Sequence, residues 1–383
     1  KDVAVTLPLL TSIIPHYGED IENLAETIFE TAPTVLFTVP RYLQKYVSNI
    51  IVGIENSSPL KRSIYRAAIK IGRRHVKGLW DGKRNPGTSL LYFICYQLAF
   101  RPILNKIGFN RIKIALSAGA PLPPEVMALW QIYGLNLSEF YGQTETGGAI
   151  IAAQGGRFPR PGHVGVPPAG WEVKLSEEGE ILAKGKDGFE CYLNNPEGTS
   201  EVLDNNGWLH TGDVGEWTSD GNLKIVDRAR DIIVTSGGKT ISPTYVENCL
   251  RSVPYISEAV VFGHQRKYLT ALIEIDFETV SGWARANDIV YTGFTSLTKH
   301  PEIISLIGSA SKKASEDLAR VEQIKGFRII PKELDPEDED EPITPTRKIK
   351  RELVYEKFKD LVESMYSDKE EQLVASEIGD VLG

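Results

Sequence analysis

Cysteine is scarce in this chain. Three occur among 383 residues, at Cys95, Cys191 and Cys249, and no C-x-x-C pair is present. That excludes a zinc ribbon and a disulfide framework, and three reduced, mostly buried thiols are expected. An excess of positive charge is also lacking. Lys and Arg number 43 against 51 Asp and Glu, a formal net charge of -8. A general nucleic-acid binder must neutralise phosphate, so nucleic acid is not an expected partner. Long apolar runs are missing too, since none reaches the roughly 18 residues that a membrane helix requires. The nearest, "LLYFICYQLAF" from Leu90 to Phe100, reads as a buried helix, with a peripheral membrane surface as the second reading. No signal-peptide pattern is seen at the start, so a cytoplasmic location is expected, with membrane association as its alternative. What remains is the composition of an ordinary globular protein, 42% hydrophobic and 25% charged, long enough for two or three domains. Nothing in it fixes the oligomeric state.

One further absence decides a motif. The stretch "IIVTSGGKTIS", Ile232 to Ser242, ends like a phosphate-binding P-loop, whose full pattern is G-x-x-x-x-G-K-[ST]. Counting back from Gly238, Lys239 and Thr240, the opening glycine is replaced by Ile233. A β-branched residue does not take the glycine-type conformations of such a loop. The run "LKIVDRARDIIVTSGGKT" instead reads as an apolar strand, a charged break, a second strand and a glycine turn.

Three textures follow one another along the chain. Residues 1–163 alternate strands and helices: "PTVLFTVP" is a buried strand, "RIKIALSAGAPLPPEVMALWQIYG" a strand, glycine turn and helix, and "NLSEFYGQTETGG" a strand and loop. This is the pattern of an α/β sheet with ligand loops at its strand ends. Residues 164–229 break into short strands with Gly and Asp-Gly turns, as in a small β-barrel-like subdomain. Residues 230–383 form a small α+β unit. Within it the acidic run from Asp335 to Glu341 reads as a solvated loop.

Four loops carry chemistry. "SAGAP", Ser117 to Pro121, is a small-residue platform at a strand end. "YGQTETGG", Tyr141 to Gly148, joins an aromatic ring, amide and hydroxyl donors and a carboxylate. "HTGD", His210 to Asp213, puts a carboxylate after a glycine, and "DRARD", Asp227 to Asp231, concentrates charge at a junction. These motifs, in this order, resemble the adenylate-forming (AMP-binding) superfamily of acyl-CoA synthetases, adenylation domains and luciferases. "DRARDIIVTSGGKTISPTYVE", "VPRYLQKY" and "TPTRKIKR" resemble its long-chain fatty acyl-CoA synthetase branch.

The resemblance implies a large α/β domain, of which residues 1–163 are the C-terminal part, and a mobile C-terminal domain hinged at Arg230. It implies ATP, Mg²⁺ and CoA as co-substrates and a carboxylic acid, a long-chain fatty acid, as substrate. Gly119, Ala120 and Pro121 would line adenine with Tyr141 stacked on it, in a loop continued by Gly142 and Gln143. Thr144 would bond the α-phosphate, Glu145 would hold Mg²⁺, and Asp213 and Arg228 would take the ribose. Lys348 would be the catalytic lysine of adenylation. Ser236, Gly237 and Gly238 would let the pantetheine arm of CoA pass. The implied reaction forms an acyl-adenylate with release of pyrophosphate, and the CoA thiol then expels AMP. Trp171 and His210 are read as structural. The family's Ser/Thr/Gly-rich phosphate loop and the His segment after it have no counterpart here, so a separate N-terminal segment of the same protein is an expected partner. Two other readings stay open, transfer to a carrier protein and a non-catalytic adenylate- or acyl-binding fragment.

Overall fold

A computed structural model describes residues 7–17, 23–148, 150–186, 188–316, 318–335, 338, 340–344 and 348–367. The chain divides into two units, one of Lys1–Leu43, Gly53–Thr211 and Gly215–Ile225, the other of Gln44–Val52, Gly212–Val214 and Val226–Gly383.

The first unit is built on a sheet of β1 (Val35–Thr38), β2 (Ile114–Ser117), β3 (Leu137–Tyr141) and β4 (Ala152–Ala153), in that order. The first three strands are parallel and β4 is antiparallel to β3. Parallel neighbours need a crossover, and the one from β2 to β3 is the helix Pro124–Ile132, opened by proline where no backbone N–H is missed. Strand β3 alternates, with Leu137, Glu139 and Tyr141 buried and the residues between them partly exposed. Alternation of period two therefore points a carboxyl group, Glu139, into the packed face.

Between β1 and β2 run the helices Pro59–Trp80 and Pro86–Cys95, the latter capped by Asn85, whose Oδ1 accepts the Thr88 N–H at 3.2 Å, and continuing into a π-turn over Tyr96–Phe100. Two expectations fail here. Strand β1 is not buried: Val35 is 36% and Phe37 44% exposed, since β1 is the edge of the sheet, where the Phe37 ring stacks on Phe140 at 5.5 Å. Nor is Leu90–Phe100 a buried helix. Phe100 is fully buried and Tyr92 stacks on His75 at 4.2 Å, but Leu90 and Leu98 on the other side are 64% and 70% exposed. One helix face satisfies the packing available, so the second apolar face stays open.

Residues 164–229 hold β5 (Trp171–Leu175), β6 (Glu180–Gly185), β7 (Leu209–Trp217) and β8 (Leu223–Arg228) in a single four-stranded sheet, with β5 and β6 an antiparallel hairpin. Its core of Ile151, Val164, Ile181, Ala183 and Leu223 also takes in Tyr141. Gly165 has φ +87°, and a Cβ there would sit 1.9 Å from the Ala153 carbonyl oxygen. Only glycine lets the chain pass. Trp171 lies over Gly185, and His210 Nδ1 meets Glu180 Oε2 at 2.9 Å.

The second unit contains the short hairpin β9 (Ile233–Val234) and β10 (Thr240–Ile241), then a sheet of β11 (Ile256–Phe262), β12 (Leu269–Ile275) and β13 (Ile324–Ile329). Strand β12 is central, antiparallel to β11 and parallel to β13, and every residue of it is buried. Both faces of this sheet are covered. One packs with Val246, Leu250, Val280, Ile303 and Ile307, the other with Ile330, Leu334, Val354 and Val362. The acidic run departs from expectation at its end: Glu341 is buried, 1% exposed. Its Oε1 accepts from the Lys332 and Lys357 ammonium groups, the latter at 2.8 Å, and a buried carboxylate persists when so paired. Cys191 is exposed rather than buried, and Cys95 and Cys249 are half-buried; all three are free thiols.

Candidate functional site

In an open parallel sheet the loops leaving the carboxyl ends of the strands are where ligands bind. At the end of β2 the chain turns over Gly119, whose φ of +89° is left-handed, and leaves Gly119, Ala120 and Pro121 exposed. The platform is fastened from below. The Leu122 N–H donates to Glu139 Oε1 at 3.0 Å, and the Glu139 N–H donates to Gln154 Oε1 at 2.7 Å. Gln154 in turn donates Nε2 to the His163 carbonyl at 2.6 Å. Burial pushes the Glu139 carboxyl up to about 8, against the lowering effect of the Leu122 N–H. It is therefore protonated near neutrality. Sequence reasoning missed Glu139, although a carboxyl placed between Leu137 and Tyr141 on the inward side of a strand was a visible signal.

At the end of β3, Tyr141 is 8% exposed and packs in the core described above, while Gly142 beside it is exposed. Gln143 donates Nε2 to the Thr211 carbonyl at 3.0 Å and to the Tyr141 hydroxyl at 3.3 Å, so it ties β3 to β7. Thr144, Glu145 and Thr146 make one 3₁₀ turn, held by the Gln143 N–H donating to Thr146 Oγ1 at 3.2 Å and closed by left-handed Gly147. The turn presents Thr144 to solvent and leaves Glu145 half-buried. Glu145 Oε1 accepts from the Tyr192 hydroxyl at 2.7 Å, and its carbonyl accepts from the Phe189 N–H at 2.9 Å. Burial, then the bond to Glu145, push the Tyr192 phenol up to about 12. It donates to the carboxylate throughout the physiological range. No sequence motif pointed to Tyr192.

In the second unit Asp213 and Arg228 are brought together, with Nε 3.3 Å from Oδ1, the carboxylate buried and the guanidinium half-exposed. An acceptor beside a donor suits a vicinal diol. Next to it in sequence, buried Asp227 accepts from Ser242 Oγ at 2.6 Å, Thr244 N at 2.9 Å and Thr244 Oγ1 at 2.8 Å. Asp227, too, was assigned no role from sequence. Arg230 is exposed within a single turn, Ala229–Asp231, between β8 and β9.

Ser236, Gly237 and Gly238 form the exposed tip between β9 and β10. The Ser236 N–H donates to the Arg266 carbonyl at 3.0 Å, and Gly238 is left-handed at φ +72°. Lys348 is exposed, and its backbone pairs with Thr344, N–H to Oγ1 at 2.8 Å and carbonyl to the Thr344 N–H at 2.9 Å. Its neighbours 345–347 lie outside the described residues. No hydrogen bond or ion pair among the described residues joins Lys348 to the glycine tip.

Among the described residues no group of three His, Cys, Asp or Glu could hold a metal by itself. A single carboxylate such as Glu145 does fit Mg²⁺, which keeps its waters and takes substrate phosphates for the rest of its shell. No helix among the described residues is long and apolar enough to cross a membrane.

Residues 7–194 match the family model of the AMP-binding enzyme, and residues 230–370 that of the AMP-binding enzyme C-terminal domain. The chain belongs to the AMP-binding enzyme family. It is similar to the long-chain-fatty-acid–CoA ligase FadD15 of Mycobacterium tuberculosis, 33% identical over 354 residues, covering 92% of this chain and 58% of that protein. It is similar as well to the peroxisomal long chain acyl-CoA synthetase 7 of Arabidopsis thaliana, 30% identical over 381 residues, 93% of this chain and 51% of that one. The chain thus spans a little over half the length of these relatives. In fold it resembles the adenylation domain of a carboxylate reductase from Mycobacterium chelonae, with a TM-score of 0.63 at 20% identity over 92% of this chain and 49% of that one. The adenylation domain of a carboxylic acid reductase from Segniliparus rugosus, in complex with AMP and a co-purified carboxylic acid, matches with a TM-score of 0.62 at 21% identity, over 92% and 50%. These likenesses show the adenylate-forming fold, a large α/β domain followed by a smaller C-terminal one.

Proposed function

We propose that this AMP-binding family member activates a carboxylic acid, a long-chain fatty acid, with ATP and passes the acyl group to CoA, releasing pyrophosphate and AMP. The observation that carries the reading is the Thr144–Thr146 turn at the end of β3, where a hydroxyl and an oriented carboxylate are presented side by side. The names of the relatives, long-chain acyl-CoA ligases, support the substrate and the acceptor.

A carboxylate is a poor electrophile, and conversion to a mixed anhydride with AMP supplies a good leaving group. We assign adenine to the Gly119–Pro121 platform with Tyr141 beneath it and Gly142 beside it. Asp213 accepts from the ribose hydroxyls and Arg228 donates to the same sugar. Thr144 donates to the α-phosphate, where negative charge builds as the acid attacks. Glu145 would hold Mg²⁺, which when bound offsets phosphate charge. Lys348 supplies a mobile positive charge for the approach of two anions, carboxylate and phosphate. Ser236, Gly237 and Gly238 serve the second step by giving the pantetheine arm a path free of side chains, with the turn at Arg230 as the hinge between the two presentations.

The test is pyrophosphate release over a panel of carboxylic acids of increasing chain length, in a preparation that contains the expected N-terminal segment, followed by thioester formation with free CoA and with a phosphopantetheine-loaded carrier protein. Chain-length-dependent release with CoA as the better acceptor is expected. Preference for the carrier protein would replace the acceptor, and absence of pyrophosphate release with every acid would overturn the reading.

A further inference from the structure

The segment from Gly188 to Val202 lies outside every motif discussed above, yet it is built around one side chain. The Tyr192 N–H donates to Thr199 Oγ1 at 2.9 Å, and the Asn195 N–H donates to the Tyr192 carbonyl at 3.2 Å. Asn195 then caps the short helix Pro196–Val202, its Oδ1 accepting the Gly198 N–H at 2.9 Å. The Phe189 ring sits 4.9 Å from the Tyr192 ring. So held, the segment touches the Thr144–Thr146 turn twice, Phe189 N–H on the Glu145 carbonyl and Tyr192 hydroxyl on Glu145 Oε1. Glu145 Oε2 makes no hydrogen bond among the described residues.

We infer that Tyr192 is a positioning residue for Glu145: its hydroxyl fixes Oε1 and so reserves Oε2 for the divalent cation that accompanies the nucleotide phosphates. The inference rests on the functional reading above and adds to it a residue that touches neither nucleotide nor acyl group. Its physical basis is rotamer freedom. A half-exposed glutamate is free to turn about three torsions, and a ligand oxygen is useful only when it waits in place. A phenol fastened through its own backbone to Thr199 and Asn195 removes that freedom. Partners of ligating carboxylates contribute to metal affinity on the order of tenfold or more.

The experiment reads binding instead of turnover. Calorimetry on the full chain measures affinity for a non-hydrolysable ATP analogue with and without Mg²⁺, and affinity for AMP without metal. Wild type, Tyr192→Phe, Glu145→Gln and the double variant are compared. In wild type Mg²⁺ tightens binding of the analogue. Tyr192→Phe is expected to lose about tenfold of that gain while AMP affinity and the thermal midpoint are unchanged. In the Glu145→Gln background the same change is expected to have no further effect, since the coupling runs through that carboxylate. An undiminished Mg²⁺ gain in Tyr192→Phe overturns the inference and leaves the functional reading standing. A parallel loss of AMP affinity in Tyr192→Phe assigns Tyr192 to folding and overturns it as well. Failure of wild type to bind either nucleotide overturns the functional reading and, with it, this one.

Discussion

Glu139 shows how much one inward-facing side chain decides. A carboxyl in a dry strand interface is costly as an anion, and here burial wins over a single N–H donor, so the group stays protonated to about pH 8. In the unfolded chain it loses its proton above about 4.5, the ordinary value. The folded state therefore binds more protons between these values, and stability falls as pH rises from about 4.5 to about 8. The full contribution is present below 4.5 and is lost above 8. Chemical denaturation of the first unit, followed by tryptophan fluorescence across this range, is expected to show a decline of up to about 1.4 kcal/mol per pH unit from this group. Glu139→Gln keeps an oxygen for the Leu122 N–H and cannot ionise, so it should flatten the slope. An unchanged slope in Glu139→Gln would show that the pH dependence arises elsewhere. Glu139→Leu should cost about 1–3 kcal/mol below pH 4.5, because the Leu122 N–H is left buried without an acceptor, and this cost should shrink as pH rises, since leucine has no proton to lose.

The glycine tip is where an element's geometry separates function from folding. Gly238 is left-handed at φ +72°, so any side chain there strains the turn. Gly237 is not left-handed, and the nearest atom to a Cβ built on it is Thr235 Oγ1 at 4.0 Å. Gly237→Trp is thus expected to fold normally, with an unchanged thermal midpoint, to keep pyrophosphate release within about twofold, and to lose thioester formation by tenfold or more. Loss of pyrophosphate release with thioester transfer intact would restore a phosphate-loop role to this turn. The rejection of a P-loop was legible from one residue, Ile233, which lies in β9 paired to Ile241 and cannot open a phosphate-binding turn. The strand at β3 and the helix after Pro124 were legible for a similar reason, since a strand's alternation and a proline helix start are local signals. Exposure was not. Phe37 and Leu90 are apolar in apolar runs, and a sequence records what a side chain prefers without recording which neighbour is there to cover it. Glu341 erred the other way, because its burial depends on Lys332 and Lys357, one of them 16 residues further along. Tyr192 and Glu139 were missed because their meaning lies in a partner 47 residues away in one case and 17 in the other.

At the scale of the whole molecule the proposed chemistry is divided among residues that the fold keeps on different elements, and this division makes the two half-reactions separable. Thr144 and Glu145 belong to the first unit, Lys348 and the glycine tip to the second. Lys348 is exposed, and it contributes only its own backbone N–H and carbonyl to its hydrogen bonds with Thr344. Removing its side chain should therefore leave folding untouched. A positive charge aimed at a transition state in which two anions meet contributes on the order of 10²–10³ in rate. The second step, attack of a thiol on an acyl carbon already joined to AMP, brings together no such pair. Lys348→Ala should consequently depress pyrophosphate release by at least about 10²-fold. Thioester formation from supplied acyl-adenylate should stay within about threefold of wild type, and the thermal midpoint should not move. Measuring both half-reactions on one preparation that contains the expected N-terminal segment discriminates the alternatives. An equal fall in both would place the ammonium in binding of the shared adenylate rather than in adenylation, and no fall in either would remove Lys348 from the chemistry.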